Sequence, residues 1–232
     1  DGTKIFYKEA TVEGKTLLAS LNATLEYVDC GYGSASDFDT ALTEAGLTTL
    51  EGYGYSHCDD FGVGRSYGFA RKHLGNDLMG ALGTPIVAVE AGTVEAMGWN
   101  QYGGWRVGIR SLDHRRYYYY AHLQKDTPFA PGLQEGDLVQ AGQVIGFMGR
   151  TGYSTHENVN NIETVHLHFG LELIFDESQK ECNSEIWIDV YQIVRLLSRH
   201  RSSVVKAADG TWQRVYAYRD LDAEDWECPQ GS

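Results

Sequence analysis

The sequence holds little that would break a strand: four prolines stand in 232 residues. It has no apolar run of roughly 18 residues or more, so no segment reads as a membrane-spanning helix. Positive charge is scarce. Nineteen Lys and Arg against 32 Asp and Glu leave a net charge of −13, and phosphate backbones or anionic headgroups would repel such a surface. No nucleic-acid partner is expected. No CxxC pair occurs among Cys30, Cys58, Cys182 and Cys228, so a cysteine zinc site is not indicated. The "SHCDD" around Cys58 has the composition of a metal cluster. Adjacent residues point different ways, however, and the stretch is expected to be an exposed turn. Four cysteines allow three full pairings, with free buried thiols as the alternative. Solenoid-type repeats and low-complexity segments are absent. The chain opens at Asp1, and a signal peptide or anchor removed upstream is the expectation.

Glycine and tyrosine are plentiful. Twenty-seven Gly and 15 Tyr in a chain that is 42% hydrophobic suggest a β-rich body with glycine turns. Residues 1–65 read as an N-terminal extension or accessory segment. Within it "SASDFDTALTEAGL", residues 34–47, predicts a short helix capped by Ser36 or Asp37 and stopped at Gly46. Residues 66–175 are dense in strands and turns. "TPIVAVEAGTVEAMGW" predicts two strands around Ala91-Gly92. "WRVGIRSLD" and "RRYYYYAHL" predict a hairpin through Asp113-His114, and "LVQAGQVIGFMG" follows with its own glycines. Residues 176–232 form a C-terminal segment packing on this core. There "IWIDVYQIVRLLSRHR", residues 186–201, repeats Ile186, Val190, Ile193, Val194 and Leu197 at helical spacing, which predicts an amphipathic helix. "WQRVYAYR" predicts one more strand before an acidic tail.

The chemistry concentrates in the histidines. In "TVHLHFGLEL", residues 164–173, the odd positions Val165, Leu167, Phe169, Leu171 and Leu173 are apolar, while His166, His168, Gly170 and Glu172 alternate with them. This is the period of a strand with one face in a core, and it sends His166 and His168 out of the other face together. "RKHLGND" sets His73 and Asp77 four apart, which suits one shared target from either a strand or a helix. "YYYYAHL" places Tyr118, Tyr120 and His122 on one strand face, opposite Tyr117, Tyr119 and Ala121. Each piece alone also suits plain packing: core histidines, chance HxxxD pairs and aromatic sheet faces are common. Jointly they suggest a catalytic zinc held by three N/O ligands with one position open, and two further histidines for proton transfer and transition-state stabilisation.

The order HxxxD, G-T-P-I-V-A-V-x-x-G-T-V, G-W-N-Q-Y-G-G-W, Y-A-H-L, E-G-D-L-V-x-A-G-Q-V-I-G-x-x-G-R-T-G-x-S-T and H-L-H-F resembles the lysostaphin/LytM-type zinc endopeptidases of bacterial cell walls. The resemblance covers about residues 66–173 and implies a mainly β fold. That fold is a compact antiparallel β-sheet metallopeptidase core related to the biotinyl/lipoyl hybrid motif. Here it would carry an N-terminal extension and one C-terminal amphipathic helix. It implies hydrolysis of peptide bonds in peptidoglycan stems or cross-bridges, with Zn2+ as cofactor. Position by position, it implies that His73, Asp77 and His168 ligate zinc, that His122 and His166 are the unligated catalytic pair, and that Tyr67 helps hold the oxyanion. "HENVNNIETV" is an insertion relative to this pattern; it is expected at the groove edge, with His156 exposed. The resemblance further implies an extracellular or envelope location, a peptidoglycan peptide as substrate, and envelope protein partners as an added possibility. The alternative is a latent family member acting as a peptidoglycan-binding or assembly module. A biotinyl/lipoyl carrier would need a lysine at a hairpin tip, and none stands there.

Overall fold

A computed structural model of the chain describes residues 25–27, 47–49, 54–66, 70–180, 184–199, 204–214 and 218–220. The helix expected over 34–47 falls outside the described residues up to Gly46, and Leu47 opens a strand. The acidic tail, Tyr67, Cys30, Cys182 and Cys228 also lie outside them. Cys58 is exposed, with a free thiol.

In chain order the strands begin with β1 (Leu25–Tyr27), β2 (Leu47–Thr49), β3 (Tyr55–His57), β4 (Gly64–Ser66), β5 (Ala70–Lys72), β6 (Asn76–Gly80), β7 (Pro85–Val87) and β8 (Gly92–Asn100). They continue with β9 (Gly104–Ser111), β10 (Arg116–Ala121), β11 (Leu138–Val139), β12 (Val144–Phe147), β13 (His166–Leu173) and β14 (Trp187–Ile188). Helix α1 (Tyr191–Arg199) precedes β15 (Val204–Ala207), β16 (Trp212–Arg214) and β17 (Tyr218–Asp220). The main sheet runs β11-β8-β9-β10-β13-β6-β3, with β14 joined to β13, and its pairings are antiparallel. Among the described residues the mainly β, antiparallel body with one α-helix, in the C-terminal segment, is as expected. The β9–β10 hairpin also forms as its sequence predicts, turning through Asp113 and His114.

Alternation along the strands decides which face is core. Tyr118 and Tyr120 sit opposite Leu171 and Phe169 on one side and Ile109 and Val107 on the other. All six are buried in one cluster with Val94, Leu167, Ile145 and Met148. Removing each such aliphatic or aromatic side chain from water is worth about 1.5–3 kcal/mol. The other face carries Asp77, His168, Ala121 and Tyr119 in neighbouring strands. The sequence pattern suggests that this face is open, yet Glu172 and Arg110 on it are also buried. Trp187 of β14 covers it, edge-on to Tyr119 at 5.9 Å. Along the same face Arg110 donates to Glu95 Oε2 at 2.7 Å and to Glu177 Oε2 at 2.9 Å, and Lys180 pairs with Glu95 as well.

The Glu95 carboxyl is opposed by its own burial, but bonds from Arg110 and Lys180 bring it below its ordinary 4.5. A depressed carboxylate contributes stability that is full above the unfolded value and is lost as pH falls through the folded one. Unfolding midpoints in urea should therefore fall with acidification below 4.5. Glu95→Gln should flatten that acid limb. An unchanged slope would show that this cluster contributes nothing to acid sensitivity.

One sequence expectation about these elements needs correction. Helix α1 starts at Tyr191 rather than Ile186. Ile186 is 38% exposed, and Trp187–Ile188 instead form a strand against Glu172 and Leu171. Backbone pairing to β13 outweighs helical continuation there. Asp189 then accepts the Tyr191 N–H at 2.9 Å and starts the helix; Val190 just before it and Ile193 and Val194 within it join the core. Both ends of "WQRVYAYR" form strand, β16 pairing β15 and β17 pairing β1, while residues 215–217 between them lie outside the described residues. Among the described residues no helix is long and apolar enough to cross a membrane.

Candidate active site

Hairpin β4–β5 ends one residue before His73. The His73 backbone is clasped to the preceding loop: its N–H donates to Val63 O at 2.9 Å and its carbonyl accepts from Gly62 at 2.7 Å. The chain then bends at Gly75 into β6. A Cβ at Gly75 would stand 2.6 Å from Phe169 O and 2.8 Å from the His168 ring, so only glycine lets β6 close on β13. In the resulting register Asp77 lies directly opposite His168.

Three atoms meet there. His73 Nε2 is 2.8 Å from His168 Nδ1 and 3.0 Å from Asp77 Oδ1. His168 Nδ1 is 3.2 Å from the same oxygen. These three residues form the His/Asp group whose ligand atoms all lie within 4.8 Å of one another. His73 and Asp77 are buried and His168 is partly so. Two nitrogens and one oxygen bound at about 2.0–2.2 Å to a tetrahedral ion stand about 3.3 Å apart, so the observed triangle accepts a zinc-sized ion after an adjustment of a few tenths of an ångström. The donor set fits a divalent metal of this kind.

The electrostatics show how firmly the triangle is charged. Burial works against a charged His73, but hydrogen bonds to Asp60 and Asp77 outweigh it and hold the ring at about 9. Burial would raise Asp77, yet its bonds with His168 and His73 keep it far below the usual carboxylate range. Burial pushes His168 down.

Two more histidines share the pocket with these three. The His122 and His166 rings are 4.8 Å apart, and His122 lies 5.9 Å from His168. His122 Nδ1 donates to Thr151 O at 2.9 Å, and His166 Nδ1 donates to Thr164 O at 2.9 Å. In each neutral ring this tautomer leaves Nε2 as a bare acceptor. Burial, then the neighbouring His166 and His168, push His122 well below an ordinary histidine.

The position of His122 corrects the sequence reading. Simple alternation puts it with Tyr118 and Tyr120, which face the core. The structure puts it on the face of Tyr119 and Ala121, with which it lines the pocket. β10 stops at Ala121, and His122 takes a left-handed φ of 62° that turns its ring to the site side. Gly104 closes this corner. It has a φ of 67°, and a Cβ there would stand 2.4 Å from the Thr151 carbonyl carbon.

Other residues were less visible in sequence. Asp60, within the "SHCDD" expected to be an exposed turn, is buried and contacts His73. Cys58 and Asp59 are exposed as expected. Arg65, Arg71, Tyr102 and Tyr153 line the pocket rim, with Arg71 over the Tyr153 ring at 5.2 Å and Tyr153 stacked on His122 at 5.9 Å. The inserted "HENVNNIETV" holds itself in place through Asn158, which accepts from Trp105 Nε1 at 2.9 Å and bonds Asp126 at 2.7 Å. His156 within it is exposed.

Comparison with known proteins agrees with this geometry. Residues 71–181 match the model of peptidase family M23. The chain is 39% identical over 117 residues to an L-Ala–D-Glu endopeptidase of Bacillus subtilis, covering 50% of this chain and 34% of that protein. It is 36% identical over 120 residues to lysostaphin of Staphylococcus simulans, covering 51% of this chain and 20% of that one. The chain thus spans about a third or less of these relatives. The structure of a lytM from Ruminococcus gnavus superposes with a TM-score of 0.54 at 28% identity, covering 74% of this chain and 75% of that one. Sequence, fold and a His/Asp/His group able to hold a metal thus agree: residues 71–181 match peptidase family M23, and the chain is similar to the lysostaphin/LytM-type enzymes.

Proposed function

We propose that this chain is a zinc-dependent endopeptidase that hydrolyses peptide bonds of bacterial cell-wall peptidoglycan, in stem or cross-bridge, and acts outside the cytoplasmic membrane where that polymer lies. One observation carries the reading: His73 Nε2, Asp77 Oδ1 and His168 Nδ1 converge beside two histidines whose Nε2 atoms are bare acceptors in the neutral rings.

When bound, the metal supplies a Lewis acid at the scissile carbonyl. The protein's own groups do the rest. A peptide lying in the pocket would pass the rings of Tyr102, Tyr119 and Tyr153, which line it. His122 is neutral because it is buried beside two other imidazoles. Its Nε2 takes the proton of the attacking water while the Thr151 carbonyl holds the opposite edge of the ring still. His166, fixed by the Thr164 carbonyl, would enter the step already carrying an Nε2 proton taken from solvent, donate that N–H to the developing oxyanion and keep it throughout. The proton held at His122 Nε2 passes to the leaving amine. Tyr67, in the position that the family resemblance marks for oxyanion contact, is assigned the same supporting task.

Digestion of defined muropeptides, read by mass spectrometry, tests the proposal. Cleavage should occur with zinc present, stop with a chelator and return when zinc is restored, and the fragment masses identify the bond. Full-rate cleavage in the chelated protein would overturn it.

A further inference from the structure

The loop before β4 places a buried carboxylate behind the metal-ready triangle. Asp60 Oδ2 accepts from Arg65 Nη2 at 2.7 Å and lies 3.1 Å from His73 Nδ1. Asp60 Oδ1 accepts from Asn76 Nδ2 at 3.0 Å and from the Asp77 N–H at 3.3 Å. Both oxygens are therefore engaged, and every partner belongs to the site or adjoins it. The Asp60 carbonyl is also 3.0 Å from His73 Nδ1. Arg65 Nη2 meanwhile reaches Asp77 Oδ2 at 2.7 Å, which leaves Asp77 Oδ1 to face His73 Nε2 and His168 Nδ1.

We propose that Asp60 is a positioning residue of the metal centre, keeping the proton of His73 on Nδ1 and its Nε2 lone pair aimed at the ion. The inference rests on the zinc-endopeptidase reading above. An imidazole that ligates through one nitrogen is oriented and made more basic by a carboxylate on the other, and losing such a partner costs about 10–100-fold in metal affinity. Arg65 ties the same carboxylate to Asp77, so two ligands from opposite ends of the bend are set by one anion. Asp60 touches neither substrate nor ion, and its contribution passes entirely through His73 and Asp77.

The test is zinc affinity by chelator competition on the full chain. Asp60→Asn keeps the shape but removes the charge and turns an N–H toward a neighbour that also donates. It should weaken zinc binding about tenfold or more. Asp60→Glu, which restores the carboxylate, should recover most of that loss. In the unmodified zinc-loaded protein, the His73 Nδ1 proton should appear downfield and exchange slowly by NMR, a measurement that needs no variant to fold. Zinc binding by Asp60→Asn within about twofold of the parent would overturn the inference, as would equal weakening by both variants or a fast-exchanging Nδ1 proton. If the parent chain itself binds no zinc, the function proposal is what fails, and the two outcomes are thereby separated.

Discussion

Replacing His168 by alanine is expected to abolish metal binding and peptide hydrolysis together. His168 Nδ1 is the one atom of the triangle that comes from β13; the others come from the β5–β6 bend. Without it two ligands remain, too few for a three-ligand catalytic centre. Zinc affinity should fall by more than about 100-fold, beyond the cost of losing an outer partner, and activity should drop to the uncatalysed background. The fold should survive, because Leu167 and Phe169 on either side supply the core contacts while the His168 ring lies on the pocket face. Metal analysis of the purified variant beside its circular dichroism spectrum checks both halves. One bound zinc per chain in a folded His168→Ala protein would refute the ligand assignment.

His122→Ala should separate what His168→Ala joins. His122 stands outside the His73/Asp77/His168 group, with its ring 5.9 Å from that of His168, so zinc content should remain at the parent level. Turnover should fall by about 10²–10⁴-fold, the usual contribution of a positioned proton-transfer group. The left-handed backbone at this residue adds a strain that alanine tolerates less well than asparagine. His122→Asn should therefore lose the same turnover while melting at a higher temperature than His122→Ala. Loss of zinc from both variants would move His122 from the proton-transfer role to the metal.

Much of this site was legible along the chain because sheets have a strict period of two. The Val165–Leu173 alternation correctly assigned Leu167, Phe169 and Leu171 to the core and His168 to the opposite face. His73 and Asp77 were legible as a pair, although spacing alone suited either a helix or a strand. The structure places them on either side of a bend, one after β5 and the other within β6. His122 was assigned to the wrong face because a single residue with positive φ ends the alternation, and no neighbour in sequence announces it. Asp60 stayed hidden for another reason. It lies 13 residues before His73 in an irregular loop, and its burial comes from long-range closure rather than from any local pattern. The start of α1 was misplaced because Ile186 fits a helical repeat that the pairing of Trp187 and Ile188 with β13 overrides.

The register of β6 against β13 bears on how such a cleft can diversify. The proposed coordination corner takes His168 and Asp77 from the strand ladder and His73 from its clasp to Gly62 and Val63, and draws no ligand from the span between Thr155 and Thr164. That span can lengthen, shorten or be exchanged while the ion's seat stays where the ladder puts it. The rim is thus an interchangeable part on a fixed chassis, and new bond preferences can arise there without rebuilding the chemistry beneath.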